Sequence, residues 1–118
     1  MRSIKFRSWD ARNKQMDIPD NIANGIDGDK YQIMQYTGLL DKQGKEIYEG
    51  DILEFAVYNA IGKVIWDDRY FGWWVKLLHS PVDKCQNISL FDAYTSVGWE
   101  DSIEVIGNVY ENGELLKG

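Results

Sequence analysis

The chain has 118 residues, a length that suits one domain whose core is large enough to fold without disulfides or metals. Hydrophobic residues make up 44% of it, which excludes a disordered chain, and its one cysteine excludes an internal disulfide or a four-cysteine metal site. No apolar run reaches the roughly 20 residues of a membrane span, and the opening MRSIKFRSWD lacks the apolar stretch of a signal peptide. These totals fit a single domain in a reducing cytoplasm, without membrane contact.

The charge is unevenly distributed along the chain. The formal net charge is −6, but residues 1–16 carry five of the 13 basic side chains and one of the 19 acidic ones. The remainder is therefore strongly acidic and repels the phosphates of nucleic acids, so we expect no generic DNA or RNA binding. The basic amino terminus is either a solvated strand face or a surface for a phosphate or an acidic partner.

The amino-terminal stretch SIKFRSW alternates in character along its length. Ile4 and Phe6 fall on one face of a strand, and Lys5, Arg7 and Trp9 fall on the other, so the pattern predicts a half-buried strand. A turn over DARNK and a return strand over QMDI complete a β-hairpin. Since Arg7 and Trp9 then lie on the charged face, we predict both as protein-interface residues.

The stretch QYTGLLDKQGKEIYEGDILEF, residues 35–55, combines dense turn signals with several charged side chains. Glycine supplies the positive φ that tight turns need. Structural turns are therefore predicted at Gly38, Gly44 and Gly50. This explanation requires no ligand, so the stretch is interpreted as scaffold. The alternative is a set of exposed binding residues, namely Tyr36, Glu49 and Asp51.

Short strands and turns continue to the carboxyl terminus. The segments ILEFAVY, KVIWD, WWVKLL, ISLF and IEVIGNVY are predicted strands, with a turn at Gly62 between the first two. PDNIANGIDGDK and HSPVDKCQN are predicted loops, and the tail ENGELLKG one helical turn. No segment sustains a helical apolar period over about 11 residues. The pattern predicts a mainly β fold: a small SH3-like or related β-barrel with an N-terminal β-hairpin and only short helical turns.

The run RYFGWW is unusually rich in aromatic side chains. Alternation along a strand sends Trp73 and Trp74 to opposite faces, so one fills the core and the other needs cover. Exposed aromatic patches usually mark binding surfaces. We therefore predict a protein interface that includes Tyr70, Trp73 and Trp74. The alternative is that the amino-terminal strand or the tail covers this patch.

Catalytic and metal-binding signatures are absent from the sequence. Cys85 and His79 are the candidate nucleophile and base, but they lie in no motif of a known catalytic class. Asp67 and Asp68 form an acidic pair that could hold magnesium, but adjacent strand residues point to opposite faces. No Walker loop and no GxGxxG occurs. We predict no catalytic residue, no metal ligand and no cofactor.

Four blocks of the sequence, IKFRSWD, MQYTGLLDKQGKEIYEGDIL, GKVIWDD and IEVIGNVYENGELL, together resemble the YopX family of phage and prophage proteins. They frame nearly the whole chain, so we predict one YopX-like domain over residues 1–118. Gly113 departs from the family pattern, which often has Pro at this point. The resemblance implies a mostly β fold, the bacterial host cytoplasm and self-association, and it implies no activity.

These observations predict a non-enzymatic phage or prophage protein that acts through protein–protein contacts, as a homo-oligomer or with a host or phage protein. Two alternatives stay open: an acidic mimic or inhibitor of a host DNA-binding protein, and a carboxylate-based metal-dependent hydrolase. For the homo-oligomer we expect contact between unlike surfaces, because the basic amino-terminal strand of one copy complements the acidic body of another.

Overall fold

The computed structural model describes residues 4–17, 31–56, 60–79, 87–91 and 102–116. The predicted loop over residues 19–30 lies outside these ranges, as do Val57, Tyr58 and most of HSPVDKCQN. Nine strands and one 3₁₀ turn are seen in the described part of the chain. They are β1 Phe6–Asp10, β2 Gln15–Asp17, β3 Tyr31–Leu40, β4 Glu46–Tyr48, β5 Asp51–Phe55, β6 Ala60–Asp67, β7 Gly72–His79, β8 Asn87–Ser89, β9 Ile103–Asn108 and the 3₁₀ turn Gly113–Leu116.

The strands form two antiparallel sheets. The first sheet has the order β2-β1-β3-β4, and the second has the order β8-β7-β6-β5-β9. One sheet curls into a half barrel beside the other, so the predicted mainly β, barrel-like fold is confirmed. The predicted N-terminal β-hairpin is β1 with β2, in which Trp9 pairs with Met16. The tail forms a short 3₁₀ turn, as predicted, and Leu90 and Phe91 after β8 are also helical.

The main hydrophobic core consists mostly of side chains from the second sheet. Leu53 and Phe55 of β5 point to the same face, as their spacing of two requires, and both are essentially inaccessible to solvent. They belong to one cluster of buried apolar side chains drawn from β4, β5, β6, β7 and β9 and the residue after β8. Its members are Ile47, Leu53, Phe55, Val64, Val75, Leu90, Ile103 and Val105.

β1 is buried on both faces, whereas the sequence predicts a half-buried strand. Arg7 and Trp9, expected on the exposed face, are 7% and 8% accessible, whereas Ile4, expected to be buried, is 68% accessible. The indole of Trp9 stacks on the ring of Tyr110, with centroids 5.6 Å apart and planes 15° apart. The chain itself therefore covers the face that looked free in the sequence.

Three glycines have backbone angles that other residues rarely adopt. Gly38, Gly44 and Gly50 have φ of +91°, +83° and +87°. The predicted turn at Gly38 is wrong, because Gly38 lies inside β3, where the register with β4 shifts between Tyr36 and Leu40. At Gly50 a Cβ atom would also come 3.1 Å from the Sδ of Met34, so this position is restricted by both conformation and space.

The predicted turn at Gly62 is wrong, because Gly62 lies inside β6 and pairs with Leu53 and Leu77. A Cβ atom there would come 2.6 Å from the Cγ1 of Val75 and 2.8 Å from the carbonyl oxygen of Lys76. Glycine is needed at this point for close approach of β7 rather than for a change of chain direction.

Asp41 connects the two sheets through its carboxylate. Its Oδ1 accepts hydrogen bonds from the backbone N–H of Gln43 and of Lys45, both at 2.9 Å, within the turn between β3 and β4. Its Oδ2 accepts a third from the N–H of Val105 in β9, at 3.0 Å. Burial opposes ionisation of Asp41, but these donors outweigh it and hold the pKa of the carboxyl below its ordinary value.

Candidate functional site

A groove of about 680 Å³ lies between the irregular part of β3, the β6–β7 turn and the end of β8. Among the described residues no charged side chain lines it, and aromatic rings form much of its wall. The lining residues are Tyr36, Thr37, Gly38, Leu39, Trp66, Tyr70, Phe71, Gly72, Trp73, Trp74, Ser89, Leu90 and Phe91. We call this feature the aromatic groove.

Two pairs of rings build the wall on the β6–β7 side. Trp66 and Trp73 are opposite each other in the ladder and meet edge to face, with centroids 5.0 Å apart. Tyr70 and Trp74 are also 5.0 Å apart, with planes tilted by 37°. Such pairs contribute about 0.5–1.5 kcal/mol beyond the area that they bury. The rings therefore fix one another while leaving Trp66 and Tyr70 well exposed.

Local interactions fix the turn that carries these rings. The Asp67 carboxylate accepts hydrogen bonds from the backbone N–H of Arg69 and from its guanidinium, and this contact lowers the pKa of Asp67. The guanidinium of Arg69 lies 5.5 Å from the ring centre of Tyr70. Asp68 accepts a hydrogen bond of 2.8 Å from the indole Nε1–H of Trp66. Asp67 and Asp68 thus bind different partners and do not converge on a common site.

Phe71 combines an exposed side chain with an unfavourable backbone. Its ring is 83% accessible, and its φ of 51° lies in the left-handed region that bulky residues avoid. Holding such a residue there costs on the order of 1–3 kcal/mol. Since the ring gains little burial within the chain, the folded chain alone does not explain a phenylalanine at this position.

A second cluster of charged and aromatic residues is sealed inside the chain. The guanidinium of Arg7 forms an ion pair of 2.8 Å with Asp51, and both side chains are more than nine-tenths buried. Arg7 also donates to the carbonyl oxygen of Glu49 at 3.2 Å and lies 4.8 Å from the ring centre of Tyr48. We call the cluster of Arg7, Tyr48, Glu49 and Asp51 the Arg7–Asp51 junction.

Protonation behaviour within the junction reflects its burial. Burial raises the pKa of Asp51, and the charge of Arg7 and the N–H of Tyr48 offset this only in part. Burial likewise raises the pKa of Tyr48 to about 12. Asp51 therefore faces internal donors rather than solvent, and its carboxylate is already used within the fold.

The predicted interface residues separate into two groups. Tyr70, Trp73 and Trp74 lie together in the aromatic groove, and their role in an interface stays a prediction. Arg7 and Trp9 do not join them, and the expectation that these two are interface residues is corrected: packing against Asp51 and Tyr110 covers them. The alternative set of exposed binding residues is corrected as well, because Asp51 is 1% accessible and Glu49 is half-buried, while Tyr36 is 8% accessible and only lines the groove.

Chemistry needs convergent polar groups, and the described residues provide few. No cluster of three or more metal-ligating side chains occurs among them. Of the candidate nucleophile and base, Cys85 and the side chain of His79 lie outside the described part. The arrangement that the described residues do provide is a groove lined largely by aromatic rings.

Three aromatic residues of the groove are absent from the sequence prediction: Trp66, Phe71 and Phe91. Phe71 lies within the run RYFGWW and had a visible signal, but its strained φ cannot be read from sequence. Trp66 was assigned to a strand without a role, and its partner Trp73 becomes apparent only from the register of β6 with β7. Phe91 lies far from the others along the chain, so only the fold brings it to the groove.

The fold and groove define a small two-sheet β protein with an exposed aromatic surface. A family model described as YopX protein matches residues 18–117, so the chain belongs to the YopX family. The crystal structure of protein EF1440 from Enterococcus faecalis is similar, with a TM-score of 0.62 and 28% sequence identity, over 99% of this chain and 100% of that one. A search of curated proteins gave no match.

Helices in the described ranges are all too short or too polar to span a bilayer.

Proposed function

We propose that this protein is a non-enzymatic binding protein that acts through protein–protein contacts, with the aromatic groove as its contact surface. The observation that carries the proposal is the exposure of four large apolar side chains around one groove. Trp66, Tyr70, Phe71 and Phe91 are 41%, 62%, 83% and 67% accessible. Aromatic residues are enriched in protein interfaces and supply most of their binding energy.

The strained turn supports the proposal independently. A backbone outlier persists when something other than local stability favours it, and such outliers concentrate at functional sites. Phe71 is such an outlier, and its side chain is directed into solvent beside the groove. A contact that buries this ring would recover apolar area that the isolated chain leaves exposed.

Family membership supports the biological setting that we propose, a phage or prophage protein in the bacterial host cytoplasm. The single cysteine is consistent with a reducing compartment. The carboxylates also favour binding over hydrolysis, because Asp51 pairs with Arg7 and Asp67 pairs with Arg69.

Photo-crosslinking in living cells tests the proposal. A photoreactive phenylalanine analogue replaces Phe71 in the groove, or Glu111 in a matched control at an exposed position in the turn after β9. After irradiation of bacteria that express each variant, we expect a discrete protein adduct from position 71 and none from position 111. The proposal fails if position 71 gives no protein adduct, or if the two positions give the same products.

A further inference from the structure

The tip of the β1–β2 hairpin is an ordered and basic protrusion. Residues 11–15 are all exposed. The Asp10 carboxylate accepts hydrogen bonds from the backbone N–H of Arg12 at 3.0 Å and from the side chain of Asn13 at 2.8 Å, which fixes the turn. Neither Arg12 nor Lys14 forms an ion pair with a described carboxylate. We call residues 11–14 the hairpin tip.

The aromatic groove has the chemistry that attracts such a group. Ring faces attract cations, and at the groove the chain already places the guanidinium of Arg69 5.5 Å from the ring centre of Tyr70. At the rim, Asp68 is exposed and bound to Trp66, and no described basic side chain pairs with it. A cation that enters the groove would therefore meet aromatic faces and a carboxylate.

The hairpin tip and the groove lie at opposite ends of β3. The register pairs Asp10, which precedes the tip, with Tyr31 at the start of β3. The groove is lined by Thr37, Gly38 and Leu39 near its end. Seven residues of strand separate Tyr31 from Gly38, which corresponds to about 23 Å at 3.3 Å per residue. A chain therefore cannot place its own tip in its own groove.

We infer that the groove accepts the hairpin tip of a second copy of this chain, with Arg12 and Lys14 against the rings and Asp68. The inference rests on the proposed function, because it names the partner of the same groove. The two surfaces are unlike and lie at opposite ends of the molecule, so the contact repeats head to tail and produces a ring or an open filament. Each copy offers one tip and one groove.

Two variants separate the surfaces. In the tip variant, Arg12→Gln and Lys14→Asn remove both charges, and Asn suits the φ of 53° at position 14. In the groove variant, Tyr70→Ser and Phe71→Asn remove two exposed rings, and Asn suits the φ of 51° at position 71. Lys45→Gln with Lys76→Gln removes two exposed cations elsewhere and serves as the control.

Sedimentation velocity over micromolar concentrations is the measurement, with circular dichroism to show that each variant is folded. We expect the native chain and the control to associate, and the tip and groove variants to associate at least roughly tenfold more weakly. An equimolar mixture of the two variants should form a two-chain species and stop there, because one intact tip and one intact groove remain. High salt should weaken the native association.

Four outcomes would overturn the inference. A native chain that stays monomeric is one, and a tip variant that associates like the native chain is another. If neither variant associates alone and their mixture forms no two-chain species, the tip of one copy does not bind the groove of another. A photo-crosslink from position 71 to a different protein only, with a monomeric native chain, would reject self-association but retain the proposed function.

Discussion

The Arg7–Asp51 junction and the aromatic groove use similar side chains in opposite ways. In the junction, a guanidinium lies over a tyrosine ring beside a carboxylate, and Arg7 and Asp51 are 7% and 1% accessible. In the β6–β7 turn beside the groove, Arg69 lies over Tyr70 and pairs with Asp67, but Arg69 and Tyr70 are exposed to solvent. The same contact is part of the protein interior in one region and part of its surface in the other.

The difference shows what decides whether an aromatic or charged residue is free to bind. Both regions carry residues that composition alone would assign to an interface. Arg7 of the junction is paired because β5 supplies the carboxylate of Asp51, and Trp9 of the same strand is covered because the segment after β9 supplies Tyr110. The groove remains open, with Phe71 83% accessible. Whether such a residue is buried or exposed therefore depends on whether the fold supplies an internal partner for it, and not on the residue type.

The largest expected effect comes from breaking the junction. Arg7→Met removes the partner of Asp51 and leaves a buried carboxylate, which should lower the free energy of unfolding by about 3–5 kcal/mol in a denaturant titration. Replacing both residues, as Arg7→Met with Asp51→Leu, should recover most of the loss because no unpaired charge remains. A cost under about 1 kcal/mol for the single change would mean that water reaches the pair.

A smaller effect is expected at Gly50, whose backbone connects the junction to the second sheet. Its N–H donates to the carbonyl oxygen of Val64 at 3.0 Å, and its own carbonyl accepts from Val109 at 2.9 Å. Gly50→Ala should lower the unfolding free energy by about 2–3 kcal/mol, because the positive φ and Met34 both oppose a Cβ atom. Gly44→Ala is the control for φ alone, since no atom lies within 4 Å of its Cβ position. Equal costs at both positions would show that space at Gly50 is irrelevant.

Asp41→Asn should destabilise the fold in a pH-dependent way. Asparagine keeps one acceptor oxygen but presents an N–H₂ group to the N–H of Val105, which should cost about 1–3 kcal/mol near neutral pH. The pKa of Asp41 is lowered in the folded state, so its stabilising effect is complete above the ordinary value of 3.8 and is lost as pH falls through the folded pKa.

The measurement is the difference in unfolding free energy between Asp41→Asn and the native chain across this range of pH. It should be largest near neutrality and decrease in acid. A difference that is constant with pH would show that the ionised form of Asp41 is not what connects the sheets.

The sequence predicts the strands well because their signals are local. Alternation in β5 and β7 and closely spaced turn residues are sufficient to predict a barrel-like β fold. Burial of β1 was mispredicted because Trp9 is covered by Tyr110, which is remote along the chain. Glycine serves either in a turn or where two strands approach closely, and the sequence does not distinguish these roles at Gly62. Only the position of β7 shows that close approach is the reason for glycine there.

The groove was half predictable for the same reason. Tyr70, Trp73 and Trp74 lie in one aromatic run, so the sequence alone shows that they are close together. Phe91 lines the groove only because the fold brings the residues after β8 close to the β6–β7 turn, and no local sequence pattern predicts this contact. The left-handed backbone of Phe71 depends on the turn between β6 and β7 as a whole. Sequence patterns thus locate one wall of the site and miss the other.

The central claim is that the exposed rings of the groove serve binding, whereas the buried residues of the junction serve folding. The variant with the smallest expected change in stability tests this claim most directly. Phe71→Asn replaces an exposed ring at a φ of 51° by a residue that tolerates this φ. Unfolding free energy and sedimentation are measured on the same sample. The account predicts stability unchanged or raised by up to about 1 kcal/mol, together with weakened association. A loss of about 2 kcal/mol or more with association unchanged would contradict it, because Phe71 would then serve the fold and not the contact.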